Sequence, residues 1–236
     1  MHLVETVTER GPLTARVLSE TTGIVLPTTY HLLRTLVHEG YLRRSADGRY
    51  ALGEQFASVT QLERRARGLR LIREEMAELS ASGRVSITLG ALRGNEIVVA
   101  QFVAHPCAPR FECWPGRVLP GHATAIGKAI LSRMPPPRRG DYLATHPLEA
   151  FTSQTVTTPW RLDEELDGAG PIHSDQQFQY GISCAAIPLE SDGVLAAMSA
   201  TYSSARAVRF RDRIGELLAE AANRITDAME LTSPAA

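Results

Sequence analysis

Lysine is almost absent: of the 25 Lys and Arg residues in this 236-residue chain, only Lys128 is a lysine. The arginine preference reads as codon usage from a GC-rich genome and carries no mechanism. Cysteine is scarce as well. Cys107, Cys113 and Cys184 are an odd set at irregular spacing, which argues against a secreted disulfide framework and for reduced thiols. No apolar run approaches the ~18 residues that span a bilayer, and no signal-like segment opens the chain, so a cytoplasmic protein with no membrane partner is expected. Neither sign of charge dominates. A formal net charge of -1 with 44% hydrophobic and 22% charged residues excludes both a polycation and a disordered acidic chain. The signatures GxSxG, HExxH and GxxxxGK[ST] are also missing; "GHATAIGK" carries only one glycine at the spacing required before its lysine, and no Ser or Thr follows. No enzymatic activity is expected, and Lys128 reads as a helix surface or cap residue. His105, Cys107, Cys113 and His122 are metal-ligating types within 18 residues, but they lack CxxC or HxxxH spacing, so neither a metal nor a cofactor is expected.

What is present starts with an uneven charge distribution. Met1 to Gly68 holds nine Arg against seven Asp and Glu, hence +2, while the rest holds 16 basic and 19 acidic residues, hence -3. Within this segment the pattern predicts three short helices. The first carries Leu3, Val4 and Val7 on one side and stops at Gly11-Pro12. The second opens on Thr14 as N-cap, carries Val17 and Leu18, and ends on Gly23 in the left-handed conformation. The third starts near Pro27 and turns Thr29, Leu32, Leu33, Leu36 and Val37 inward. Its opposite face presents Thr28, Tyr30, His31, Arg34 and Thr35, hydrogen-bonding groups with no acid until Glu39. "YLRRSADGRYAL" follows, alternating around Asp47-Gly48 as a type I′ hairpin that carries Arg43, Arg44 and Arg49. Helix, turn, helix and basic hairpin make a winged helix-turn-helix. Its third helix, starting near Pro27, suits the major groove of double-stranded DNA, with Thr28, Tyr30 and His31 nearest the bases, Arg34 at a base edge or a phosphate, and the wing arginines on phosphates or in the minor groove. A winged helix can also serve protein-protein contacts.

Residues 54–68 are expected to form a linker helix interrupted at Gly68. A second helix then sets Leu69, Ile72, Met76 and Leu79 against the next domain. Arg64, Arg65 and Arg67 read as a solvated face. From Arg84 the period becomes that of strands: "RVSITLGALRG" and "NEIVVAQFVA" flank a Gly94-Asn95 turn, and "RFECW" is expected to add a third strand. "HATAIGKAILSRM" is a compact helix, "GISCAAIPLE" and "GVLAAMSATYS" a second strand pair, and the last long segment a closing helix. The fold class is therefore two-domain: a mainly α winged helix-turn-helix over 1–53, the linker helix over 54–68, and an α+β domain over 69–236.

Three stretches, "GPLTARVLSETTGIVLPTTYHLLRTLVHEGYLRRSADGRYALG", "GHATAIGKAIL" and "GISCAAIPLESDGVLAAMSATYS", resemble the IclR family of bacterial transcriptional regulators, in the family's order and over nearly the whole chain. The resemblance implies a GAF-like effector-binding domain at the carboxyl end, a homodimer or homotetramer, an operator in double-stranded DNA and a small-molecule effector. Effector contacts project onto Ala125, Ile126, Ser174, Cys184, Ser199 and Thr201, with Asp175 beside Ser174 where relatives often have Asp. Cys184 also fits as a small buried hydrophobe, and Ser199 and Thr201 as local backbone partners. Gln176-Gln177 stands where Glu-Glu is common, which makes this pocket more amide-lined. The amides near Thr124 to Ile126 suit a carboxylate, although the family's small carboxylate ligands do not transfer automatically. Two classes of function follow: an effector-controlled, sequence-specific DNA-binding regulator, or a small-molecule sensor and adaptor that has lost DNA binding.

Overall fold

A computed structural model describes residues 2–168, 170–191 and 193–232, apart from the side chains of 56–60. The chain divides into two compact units at Ala66 and Arg67, inside one long helix.

The amino-terminal unit begins with α1 (His2–Arg10), α2 (Ala15–Thr22) and α3 (Leu26–His38), followed by the antiparallel strands β1 (Leu42–Arg44) and β2 (Tyr50–Leu52). Apolar residues at helical spacing meet in one core of Leu3, Val4, Val7, Ala15, Leu18, Leu33, Leu42 and Tyr50. Thr14 caps α2 by accepting the Val17 N–H, and Gly23 ends it at φ 70°. Thr29 is fully buried and donates its hydroxyl to the carbonyls of Ile24 and Val25 at 3.1 and 3.2 Å, which fixes the turn ahead of α3. Leu32, expected inside, lies at the margin of the apolar stripe and is 38% exposed. The wing turn also departs from expectation. Only Gly48 takes a positive φ, 80°, and Gly48 N–H bonds the Ser45 carbonyl, so a longer loop from Ser45 to Arg49 replaces the tight type I′ turn.

The second unit shares α4 (Glu54–Gly83) with the first, and Gly68 does not break this helix. A Cβ at Gly68 would stand 2.7 Å from the Ala228 carbonyl oxygen and 2.8 Å from Thr232 Cγ2. The glycine therefore serves close packing against the last helix, a role that local propensity cannot distinguish from a helix stop. Ile72, Met76 and Leu79 are buried as expected, while Leu69 is 45% exposed.

A five-stranded antiparallel sheet in the order β4-β3-β7-β6-β5 forms the centre, from β3 (Ser86–Arg93), β4 (Glu96–Val103), β5 (Ile172–Asp175), β6 (Ile182–Ser191) and β7 (Val194–Ser203). The two hairpins sit where the alternation placed them. "RFECW" forms no strand, being confined between Pro109 and Pro115, and the remaining strand is instead Ile172–Asp175, whose His, Ser and Asp give little strand propensity and which is held by pairing with β6. Alternating strand residues feed two cores. Ile87, Leu89, Met198 and Tyr202 pack with Ile72 and Met76 of α4 and with Ile214, Leu218 and Ile225 of α8 (Ala207–Glu230). On the other face Ile97, Val99 and Ala197 pack with Ile126 and Ile130 of α5 (Ala125–Ser132), Tyr142 of α6 (Pro136–Thr145) and Leu162 of α7 (Pro159–Leu166). A Cβ on Gly127 would lie 2.5 Å from the Gly121 Cα, so these two glycines let the turn before α5 fold tightly onto its first turn.

Candidate functional site

The outer face of α3 is polar. Thr28, Tyr30, His31, Arg34 and Thr35 are all exposed, while the buried Thr29 and Leu33 anchor the helix from behind. Pro27 sits in the first turn, where its missing N–H has no helical partner to lose. Beside this face stand the exposed wing arginines. Arg44 lies over the Tyr50 ring at 5.8 Å, and Arg49 pairs with Asp47 at 3.2 Å. The Ser45 hydroxyl and then the Arg49 amide hold the Asp47 carboxyl below the usual carboxylate range, so it stays ionised and orders the wing tip.

A second feature lies in the carboxyl-terminal unit. Cross-strand partners share a face of the sheet, and the register sets Ser174, Cys184 and Thr201 in one row with Thr88 and Ser199 alongside. Over this row lie Ala125 and Ile126 at the start of α5, and between them is a cavity of about 50 Å³ that Phe111, Cys113, Leu119 and Phe178 also line. That is room for a water or two, so a larger guest enters only if the segments carrying Phe111 and Phe178 yield. The Ser174 hydroxyl donates to the Ala123 carbonyl at 2.9 Å, and Cys184 Sγ lies 3.4 Å from Thr201 Oγ1. Burial pushes the Cys184 thiol up to about 11 and also raises that of Cys113, so both remain protonated.

Lys128 corrects the sequence reading. It is fully buried, and its ammonium donates to Glu165 Oε2 at 2.6 Å, the His173 carbonyl at 2.6 Å and Gln177 Oε1 at 2.9 Å. Desolvation lowers its pKa and the Glu165 carboxylate opposes that shift. Asp175, expected beside Ser174 as an effector contact, lies apart from that row. It points to the face opposite the cavity and pairs with Arg211 of α8, because adjacent strand residues alternate sides.

His122 is buried, with Nε2 2.9 Å from the Glu149 carbonyl and its ring 5.9 Å from that of Phe151. Desolvation, chiefly, lowers its pKa below 6.5, against the Glu149 carbonyl and carboxylate, and Lys128 adds repulsion; burial lowers His173 likewise. The unfolded chain therefore takes up these protons first. Stability is fully present above pH 6.5 and is lost as pH falls through the lower folded values. Thermal melts from pH 7.5 down to about 5 should show a falling midpoint, with a shallower fall in His122→Gln. Parallel curves for the two proteins would remove His122 from the account. Among the described residues, no three His, Cys, Asp or Glu side chains gather as a ligand set, and no helix is long and apolar enough to cross a membrane.

Residues 3–46 match the family model for the IclR helix-turn-helix domain, and residues 67–227 match that of the bacterial transcriptional regulator IclR C-terminal domain. The chain belongs to the IclR family of bacterial transcriptional regulators. It is similar to the HTH-type transcriptional regulator KipR of Bacillus subtilis, 28% identical over 170 residues, covering 72% of this chain and 68% of KipR. An IclR transcriptional regulator from Silicibacter sp. TM1040 shares the fold at a TM-score of 0.66 and 24% identity, over 98% of this chain and 96% of that one. An IclR homolog from Microbacterium hydrocarbonoxydans, solved with 4-hydroxybenzoate, matches at a TM-score of 0.62 and 25% identity, over 97% and 98%.

As an IclR-family regulator, the protein combines a DNA-binding helix-turn-helix unit with an α+β effector-binding unit. The cavity gathers six of the residues projected from the resemblance, Ala125, Ile126, Ser174, Cys184, Ser199 and Thr201, and leaves Asp175 outside. Sequence reading missed Thr88, Cys113 and Phe178. Thr88 was within reach, since period-2 alternation in "VSITLGA" sets it opposite the core face of Ile87 and Leu89; Cys113 and Phe178 lie on irregular loops with no periodic signal.

Proposed function

We propose that this IclR-family regulator reads its operator with Thr28, Tyr30, His31 and Arg34 in the major groove, with Pro27 setting the helix start. Arg43, Arg44 and Arg49 grip phosphates. The observation that carries this reading is the acid-free, exposed polar face of α3 beside an arginine-bearing wing. A small molecule held by Ala125, Ile126, Ser174, Cys184, Ser199 and Thr201 changes the populations of homo-oligomers that can reach two half-sites. The 4-hydroxybenzoate held by the Microbacterium relative supports a small aromatic guest as the starting class for this cavity. Asp175 acts through Arg211 rather than on the effector.

Salt titration of operator affinity tests the docking. An assembly of two heads, each neutralising three phosphates through its wing, gives a log-log slope of about -5, at roughly 0.9 per phosphate. Arg49→Ala is expected to weaken binding to all sequences alike and to flatten the slope by about 1 per head. A flat salt response with no preference over random DNA would sink the docking and leave a sensor that has lost DNA binding.

A further inference from the structure

We infer that the effector cavity selects an uncharged, hydroxyl-bearing aromatic ring over the corresponding carboxylate. This rests on the reading that the cavity under α5 takes the effector, and it names the chemical class. None of the described residues that line the cavity carries a positive charge. The polar groups on its sheet side are the neutral hydroxyls and thiol of Thr88, Ser174, Cys184, Ser199 and Thr201, which can accept or donate a hydrogen bond but cannot balance an anion.

Three neighbouring cationic or partly positive groups are already committed. The Lys128 ammonium is saturated by Glu165, the His173 carbonyl and Gln177. The Arg117 guanidinium donates to the Glu112 carbonyl, pairs with the Glu112 carboxylate at 3.8 Å, and lies over the Trp114 and Phe178 rings at 5.0 and 5.8 Å. At the start of α5, the Thr124 hydroxyl already accepts the Gly127 N–H at 3.1 Å. The remaining first-turn amides offer only a partial charge, which does not offset the desolvation of a buried, unpaired carboxylate. Glu112 also lines the cavity and brings no positive charge to it. Both thiols stay neutral, so they add no charge of either sign.

The lining chemistry favours a ring. Phe111 and Phe178 line the cavity, each held edge-on by a second ring, Phe102 at 5.5 Å and Phe151 at 5.1 Å. Leu119, Ile126 and Ile182 complete an apolar wall. Once the segments carrying Phe111 and Phe178 give way, a ring seated there packs against aromatic faces while its hydroxyl meets Ser199 and Thr201 on β7.

Isothermal titration of the full chain at pH 7.5 with two matched pairs tests this: 4-hydroxybenzyl alcohol against 4-hydroxybenzoate, and benzamide against benzoate. The neutral member of each pair is expected to bind at least tenfold more tightly, with 4-hydroxybenzyl alcohol the best of the four. It should slow alkylation of Cys113, read by peptide mass spectrometry, and leave the exposed Cys107 unprotected. Thr201→Val, which keeps the side-chain shape, should weaken 4-hydroxybenzyl alcohol severalfold and benzamide less. Equal or tighter binding of the carboxylates overturns the charge selection, and no saturable binding of any of the four overturns the ring class. Saturable binding that leaves Cys113 unprotected refutes the cavity as the effector site, and the inference falls with it.

Discussion

Lys128→Ala is expected to destabilise the carboxyl-terminal unit by about 3–5 kcal/mol, the range for breaking a buried ion pair by removing one partner. The ammonium is fully buried and satisfies three acceptors, so its loss strands the His173 carbonyl and the buried Gln177 amide oxygen. Glu165 keeps 33% side-chain exposure and can recover water, which puts the effect toward the lower end. At about 2–4 °C per kcal/mol for a unit of this size, the thermal midpoint should drop by roughly 10 °C. The consequence is also functional. Lys128 ties α5 to β5 at His173, and the next residue, Ser174, both lines the cavity and bonds the Ala123 carbonyl. Effector affinity should therefore fall in any folded Lys128 variant. Lys128→Met, which refills the volume without the charge, should recover part of the stability but not the strand anchor. A Lys128→Ala midpoint within about 2 °C of the parent, less than 1 kcal/mol on that scale, would show that the network is dispensable.

Arg34→Ala is expected to weaken operator binding by about 10- to 100-fold, the 1–3 kcal/mol that a good base-edge contact carries. Binding to random DNA should change far less. The side chain is exposed, so the circular dichroism spectrum and melting of the head should stay as in the parent. Leu33→Ala is the contrasting neighbour: fully buried, it should lose about 2–5 kcal/mol and unfold the head, removing all DNA binding. Fluorescence anisotropy at one fixed salt concentration, on operator and scrambled duplexes, separates the two. An equal loss on both duplexes in Arg34→Ala would move this residue from the bases to the phosphate backbone.

Legibility in the sequence followed the range of the forces involved. Thr14 as a cap, Gly23 as a left-handed stop, the exposed face of Thr28, Tyr30, His31 and Arg34 and the strand pair around Gly94-Asn95 were all readable, because each depends on residues within a turn or two. The type I′ expectation failed where one backbone torsion decided it: Asp47 keeps a negative φ while its carboxylate accepts from Ser45 and Arg49. The six projected cavity residues were legible only through the resemblance, since nothing local in "ISCAAIP" tells a contact from a buried filler. Register then brought Ser174, Cys184 and Thr201 side by side.

The sequence by itself determined the family, the helix-turn-helix with its arginine wing, and the alternation of two strand pairs, because caps, apolar periods and turn residues act on their near neighbours. Only the tertiary structure decided that Lys128 is buried, that Gly68 packs rather than breaks, that Ile172–Asp175 is an edge strand, and that Asp175 turns away from the cavity. Each depends on a partner distant in the chain, Glu165 for Lys128 and Ala228 for Gly68, or on a strand register that no local signal encodes. Burial and pairing are decided by what the fold brings near, and for these residues that lies tens of positions away.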